Sequence, residues 1–310
     1  MALSDHASGN NHPPKQEESA ATPPSSLNLE RRRSPWPLAL VAALFIIMPF
    51  LAWYGTWFGR ALSDDDIEKY LRDEKPRHVQ HALSQVSERM AKGDASARRW
   101  YPQIVALTTH QVPDLRMTAA WVMGGDNKSE EFHAALAALL NDAEPIVRRN
   151  AALALVRFGD SRGRPELRAM LRPFTVTSNV GGTALTVLTE GTPVKRESML
   201  AKYRTNDARR PTDELRSPLP GKIEKALLRE GDTFQAGREL FVLAPDGASV
   251  WEALRALYLV GETEDLSDVE RYATGVEGMS EEIKRQAALT VEAIKRRASQ
   301  ENQSSVNDRQ

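Results

Sequence analysis

The chain has no cysteine among its 310 residues. Disulfides, thiolate catalysis and cysteine-bound zinc are therefore excluded. The compartment stays open, because a cysteine-free protein tolerates oxidising and reducing surroundings alike. An excess of charge is also lacking. The 41 Lys and Arg residues stand against 42 Asp and Glu, for a formal net charge of −1. No bulk field therefore recruits nucleic acid or an acidic substrate. Walker, GxGxxG and GxSxG sequences do not occur, which leaves the chain without a phosphate-cradling loop or a nucleophile elbow.

One long stretch lacks charge altogether. From Ser34 to Gly59 no Asp, Glu, Lys or Arg occurs, and the core reads PLALVAALFIIMPFLAWYGTWF. About 20 apolar residues suffice for a helix to cross the hydrocarbon layer. Trp36 near one end and Trp53, Tyr54 and Trp57 near the other suit the two interfaces. A cleaved signal peptide would have a shorter apolar run and a small-x-small site, which only Gly59-Arg60-Ala61 resembles. The pattern predicts a single transmembrane helix over 34–59. Arg31, Arg32 and Arg33 precede it, and Asp64, Asp65 and Asp66 follow soon after. The basic cluster predicts a cytoplasmic N-terminus, with the folded part outside an inner (plasma) membrane, in the periplasm if the cell is bacterial. Residues 1–33 and 299–310 are polar, with little apolar to bury, and are expected to be disordered tails.

Self-comparison reveals a helical repeat. Leu115-Arg-Met-Thr-Ala-Ala-Trp-Val-Met123 aligns with Val147-Arg-Arg-Asn-Ala-Ala-Leu-Ala-Leu155 and with Ile283-Lys-Arg-Gln-Ala-Ala-Leu-Thr-Val291. Pro76–Leu83 and Val250–Leu254 are weaker copies. An aliphatic residue followed four positions later by Ala puts a small residue on the contact stripe, where a neighbouring helix can approach closely. Pro113 and Pro145 suit first turns, and Ser63, Ser129 and Ser280 suit N-caps. The pattern resembles HEAT-type helical repeats over 64–172 and again over 248–298. The resemblance implies a stacked α-solenoid with a binding or scaffolding surface.

Between these blocks, residues 174–246 are rich in β-branched residues, Gly and Pro. Here a different unit recurs. Gly182–Gly191, followed by Val194 and Leu200, matches Gly221–Gly231, followed by Phe234 and Leu240. Glu-Gly closes both units, where Gly supplies a positive φ. The second copy, SPLPGKIEKALLREGDTFQAGRELFVL, resembles the biotinyl/lipoyl half-motif at Ser217-Pro218, Gly221, Glu230-Gly231, Gly237 and Leu240. The first copy has Glu197 where that family usually has Gly. Two halves imply a small flattened barrel. The family's carrier lysine falls on Arg210 here, and a guanidinium cannot be acylated like an amine. Lys202, the one lysine of the connection, lies early and has no flanking Met. Membrane-fusion adaptors of export systems resemble this chain in having an anchor and a lysine-free barrel. The connection here is too short for their coiled-coil hairpin.

The candidate chemistry is sparse. His78 and His81 have i, i+3 spacing, but zinc would need further ligands, of which only His133 comes close in repeat space. Structural roles are expected for all three. Arg148-Arg149 reads as a solvated repeat face, and Trp100-Tyr101 and Trp121 as packing between repeats. No catalytic, cofactor or metal residue is assigned. The fold expected is mainly α, a HEAT-like solenoid with a small all-β module, preceded by the transmembrane helix. The function expected is a non-enzymatic, membrane-anchored scaffold for protein partners, with no nucleic acid, small-molecule substrate or cofactor. An accessory of an export or efflux system is the alternative, and a lyase-type enzyme on helical repeats is a more remote one.

Overall fold

The computed structural model describes residues 61–205 and 209–307, together with 43–45 and 47–48. The chain divides into a leading unit, Met1–Arg60, and a body, Ala61–Gln310. Among the described residues no helix is long and apolar enough to cross a membrane. The span expected at 34–59 lies outside them, apart from the five residues just named, which are helical.

Helical hairpins build most of the body. Each has a first and a second helix. The pairs are α1 (Asp64–Leu71) with α2 (Pro76–Ala91), and α3 (Tyr101–Ala106) with α4 (Pro113–Met123). Next come α5 (Glu130–Leu139) with α6 (Pro145–Val156), and α7 (Arg164–Ala169) with α8 (Gly247–Val260). The last is α9 (Leu266–Thr274) with α10 (Glu281–Asn307). The second helices pack on one another in series from α2 to α10. All five copies of the sequence repeat fall on these second helices.

Local signals set the starts. Ser63 caps α1 by accepting from the Asp66 N–H, and Ser129 caps α5 by accepting from the Phe132 N–H. Pro76, Pro113 and Pro145 occupy first turns, where the missing N–H has no partner to lose. Ala119, Ala120, Ala151, Ala152 and Ala287 are all fully buried, so the small residues do lie where helices meet. Helix α6 joins two cores. Val147, Ala151 and Leu155 belong to the core of the first three hairpins. Ala152 and Val156 belong to the core of the last two. The final helix runs to Asn307, beyond the tail boundary expected at residue 298. No Gly or Pro intervenes there to end it.

The β-module leaves the solenoid between α7 and α8, within one hairpin rather than beside the stack. Its two four-stranded antiparallel sheets have the orders β1-β8-β6-β3 and β5-β4-β2-β7. The strands of the first half are β2 (Gly182–Val187), β3 (Pro193–Val194) and β4 (Met199–Arg204). Those of the second are β6 (Gly221–Ala226), β7 (Thr233–Phe234) and β8 (Glu239–Pro245). Flanking strands are β1 (Phe174–Thr177) and β5 (Thr212–Arg216). Each half lends its short strand to the other: β3 pairs with β6, and β7 pairs with β2. The bonds repeat accordingly. Gly191 N–H donates to Ile223 O, and Gly231 N–H donates to Ala184 O. Ser178 and Ser217 make matching turns, each hydroxyl donating to the carbonyl two residues on. Leu200 and Leu240 are fully buried in one shared core. The closed barrel expected from the half-motifs is not what the ladder shows: among the described residues it consists of two open sheets facing that core.

Gly191, Gly231 and Gly237 have φ of 84°, 86° and 83°, and Glu197, the counterpart of Gly237, has φ of 64°. A side chain in the left-handed region costs roughly 1–2 kcal/mol. Part of that would be returned by the greater freedom of glycine in the unfolded chain. Glu197→Gly should therefore raise the unfolding free energy by roughly 0.5–1 kcal/mol, read from urea denaturation. A loss of stability would show that the Glu197 side chain holds its turn.

Candidate interaction groove

The second helices share one face, and it forms a groove of 1220 Å³. Ser84, Ser87 and Glu88 contribute from α2, and Trp121 from α4. Asn150, Leu153 and Arg157 lie on or just beyond α6; Glu252, Arg255, Tyr258 and Leu259 lie on α8; and Gln286 and Leu289 lie on α10. Large apolar side chains stand open in it. Trp121 is 60% exposed, Leu259 61%, Leu289 52% and Tyr258 42%. A contiguous apolar patch on a folded surface marks an interaction site more often than single exposed residues do.

The repeat explains the placement. Trp121, Leu153 and Leu289 occupy one motif position, directly after the Ala-Ala pair. Both alanines of α4 and α6, and the first of the pair on α10, are buried, and the residue after the pair turns toward the open face. Trp121 is therefore not the inter-repeat packing residue expected from the sequence. Trp100 and Tyr101 are buried, as that reading has it. The sequence signal that was missed is the recurrence of a bulky apolar residue at a position off the buried stripe.

Behind the groove, arginines tie successive hairpins. Arg116 donates through Nε and Nη2 to the Asp142 carboxylate at 2.7 and 2.8 Å, and through Nη1 to the His110 carbonyl at 2.8 Å. Burial alone would raise the pKa of Asp142, but Arg116 holds it below the ordinary carboxylate value. Arg148, one repeat on, donates to Glu166 at 3.0 Å and to the carbonyls of Asp142 and Ala143. Arg149 is only 4% exposed, beside Glu166 at 3.7 Å, and burial depresses its pKa. The Arg148-Arg149 pair is thus a structural joint, not the solvated face expected. Its neighbours in space, Glu166 and Asp246, lie too far along the chain for the motif to reveal.

The remaining candidates are dispersed. His78 meets Asp73 at 2.7 Å and stacks on Tyr70, while His133 meets Asp160 at 2.7 Å and stacks on Phe158. Among the described residues no group of three or more His, Asp or Glu could hold a metal ion. Lys202 lies within β4, opposite Glu214 of β5. Arg210 is exposed in the connection between the halves, 3.3 Å from Asp213.

A family model described as HEAT repeats matches residues 101–176. The helical part is HEAT-like on that ground and on its hairpin architecture. Among solved structures, the crystal structure of an engineered protein is similar over 74% of this chain and 78% of that one, at 14% identity and a TM-score of 0.38. A single-chain, multi-domain long-chain acyl-CoA carboxylase is similar over 41% of this chain and 15% of that one, at 15% identity and a TM-score of 0.22. Both overlaps are loose. No curated protein matches the chain in sequence.

Because Trp121 is exposed, Trp121→Ala should change stability by less than about 0.5 kcal/mol. Leu155→Ala, in the buried core of the same stack, should cost about 2–5 kcal/mol. Thermal unfolding of the two variants measures this, and an equally large loss for Trp121→Ala would make it a packing residue after all.

Proposed function

We propose that the chain is a non-enzymatic, membrane-tethered scaffold that binds a partner protein in the groove of its HEAT-like solenoid. The exposed ridge of Trp121, Tyr258, Leu259 and Leu289 carries this reading, since leaving such groups in water is unfavourable unless something covers them. A protein partner fits the mixed lining better than a small substrate does, because aromatic anchors amid a polar rim are the common composition of protein interfaces.

The tether is the charge-free run at 34–59. In support, Leu44, Phe45, Ile47 and Met48 are helical, and more than half of each side chain's surface is open, as suits a segment facing lipid. The arginine cluster at 31–33 favours a cytoplasmic N-terminus and a folded body outside. The β-module serves as a second docking body. Its two half-motifs resemble in sequence those of membrane-fusion adaptors, which keeps an export accessory as the second reading.

A photo-reactive amino acid in place of Trp121 or Leu289, in intact cells, should give discrete protein adducts. The same probe at Glu131, exposed on first helix α5, should give none. Equal labelling at all three positions would contradict the groove as the binding surface. A reporter active only outside the cytoplasm should work when fused after Gln310. Activity of a cytoplasmic reporter alone would overturn the topology.

A further inference from the structure

An open sheet edge is a row of unpaired backbone donors and acceptors, and proteins blunt such rows with charge, proline, bulges or short strands. The two sheets of the β-module do not close among the described residues, so they present four edges. Two of these, β3 and β7, are two residues long and offer little. A third, β5, is longer but guarded. It carries Asp213, Glu214 and Arg216, and its Glu214 N–H is already taken by the Asp213 carboxylate at 2.9 Å.

The fourth edge, β1, has less protection. Phe174-Thr-Val-Thr177 and the two residues after it carry no charge, in a chain where 27% of residues do. Its principal neighbour is β8. Beyond the ladder to β8, no backbone group of Phe174–Thr177 has a hydrogen-bond partner among the described residues. Thr175 and Thr177 are exposed, whereas Val176 is buried in the core of the module. Pro173 before the strand and the register shift between Val176 and Thr177 keep any further pairing short.

The residue pattern of β1 suits a second copy of itself. Two identical strands meet antiparallel about a two-fold axis, and the alternation of hydrogen-bonded pairs then sets one residue opposite its own copy. Centred on Thr175, the pairing opposes Thr175 to Thr175 and Phe174 to Val176. Centred on Val176, it opposes Thr175 to Thr177 and Val176 to itself. Either register puts threonine across from threonine on the exposed face, a pair that favours an antiparallel ladder, and no like charges meet. The same operation on β5, with the whole strand paired, opposes Glu214 to Glu214, which is unfavourable.

We infer that β1 is a dimerisation edge, which joins the four-stranded β1-β8-β6-β3 sheets of two copies into one continuous sheet about a two-fold axis. This is independent of the groove, whose lining lies on the second helices.

The lack of cysteine allows a direct test in the full chain, kept in detergent. Thr175→Cys alone, or mixed with Thr177→Cys, should give a covalent dimer on mild oxidation, because opposed residues lie within reach of a disulfide. Thr212→Cys, exposed at the start of β5, should give none. By sedimentation, the unaltered protein should have twice the mass of one chain. The Thr175→Lys, Thr177→Lys double variant should have half that mass while its far-UV circular dichroism shows it folded. Mixing it with Thr175→Glu, Thr177→Glu should restore the dimer, because each Lys then faces a Glu. A chain that stays monomeric to the limit of its solubility would overturn the inference. So would a dimer that survives the Lys variant, equal cross-linking through Thr212→Cys, or a dimer lost with Trp121→Ala instead, which would move the contact to the groove. A different protein captured at Thr175→Cys from intact cells, with the purified chain monomeric, would give the edge to a partner strand and overturn self-pairing.

Discussion

The seam between α7 and the helices that follow the β-module is where the solenoid could break, and a buried carboxylate holds it. Asp265 is fully buried and accepts from Arg164 Nε at 2.9 Å, while Arg168 Nε stands 3.3 Å from its other oxygen as an ion pair without a hydrogen bond. Its other contact is the Glu262 N–H, in a capping box that starts the turn before α9. Arg164 also pairs with Glu262 and Glu264, and Arg172 grips Asp268 through two bonds of 2.7 Å. Tyr272 reaches back to the Leu171 carbonyl at 2.8 Å. Removing one partner of such a buried network costs about 3–5 kcal/mol, because the other charge is left uncompensated. Partners about a hundred residues apart in sequence thus sit as neighbours, and Leu167 and Leu171 pack in one core with Val250, Leu254 and Leu257.

That closure gives the groove its length. Tyr258 and Leu259 on α8 and Leu289 on α10 join Trp121 and Leu153 only because α8 stacks directly on α6. The β-module meanwhile folds around its own core, which shares no residue with the two helical ones. Arg196, in the turn after β3, pairs with Asp114 at the start of α4. A partly exposed pair of this kind is worth little on its own. The insertion therefore hangs from a solenoid that does not need it for continuity.

Much of this was legible in the sequence, because both repeats express short-range rules. The repeat marks all five second helices, with Ala-Ala on α4, α6 and α10 and a single Ala on α2 and α8, since close helix approach demands small residues at a fixed spacing. The half-motifs give the matching turns at Gly191 and Gly231 and the shared burial of Leu200 and Leu240. What the sequence hid depends on the direction of a side chain or on distant neighbours. Trp121 belongs to a conspicuously apolar motif, yet it faces outward. Arg149 carries charge, yet Glu166 and the chain near Asp246 enclose it. The groove is a property of five helices together, and no single window contains it.

Excision of residues 174–245 in favour of a Gly-Ser linker of about six residues tests the continuity of the solenoid most directly. The shortened chain should unfold in one cooperative transition, and the amides of α8 and α10 should remain as protected from hydrogen exchange as in the full chain. Loss of protection in α8 to α10, with α1 to α7 still folded, would show that the β-module holds the two helical blocks together and would contradict the account.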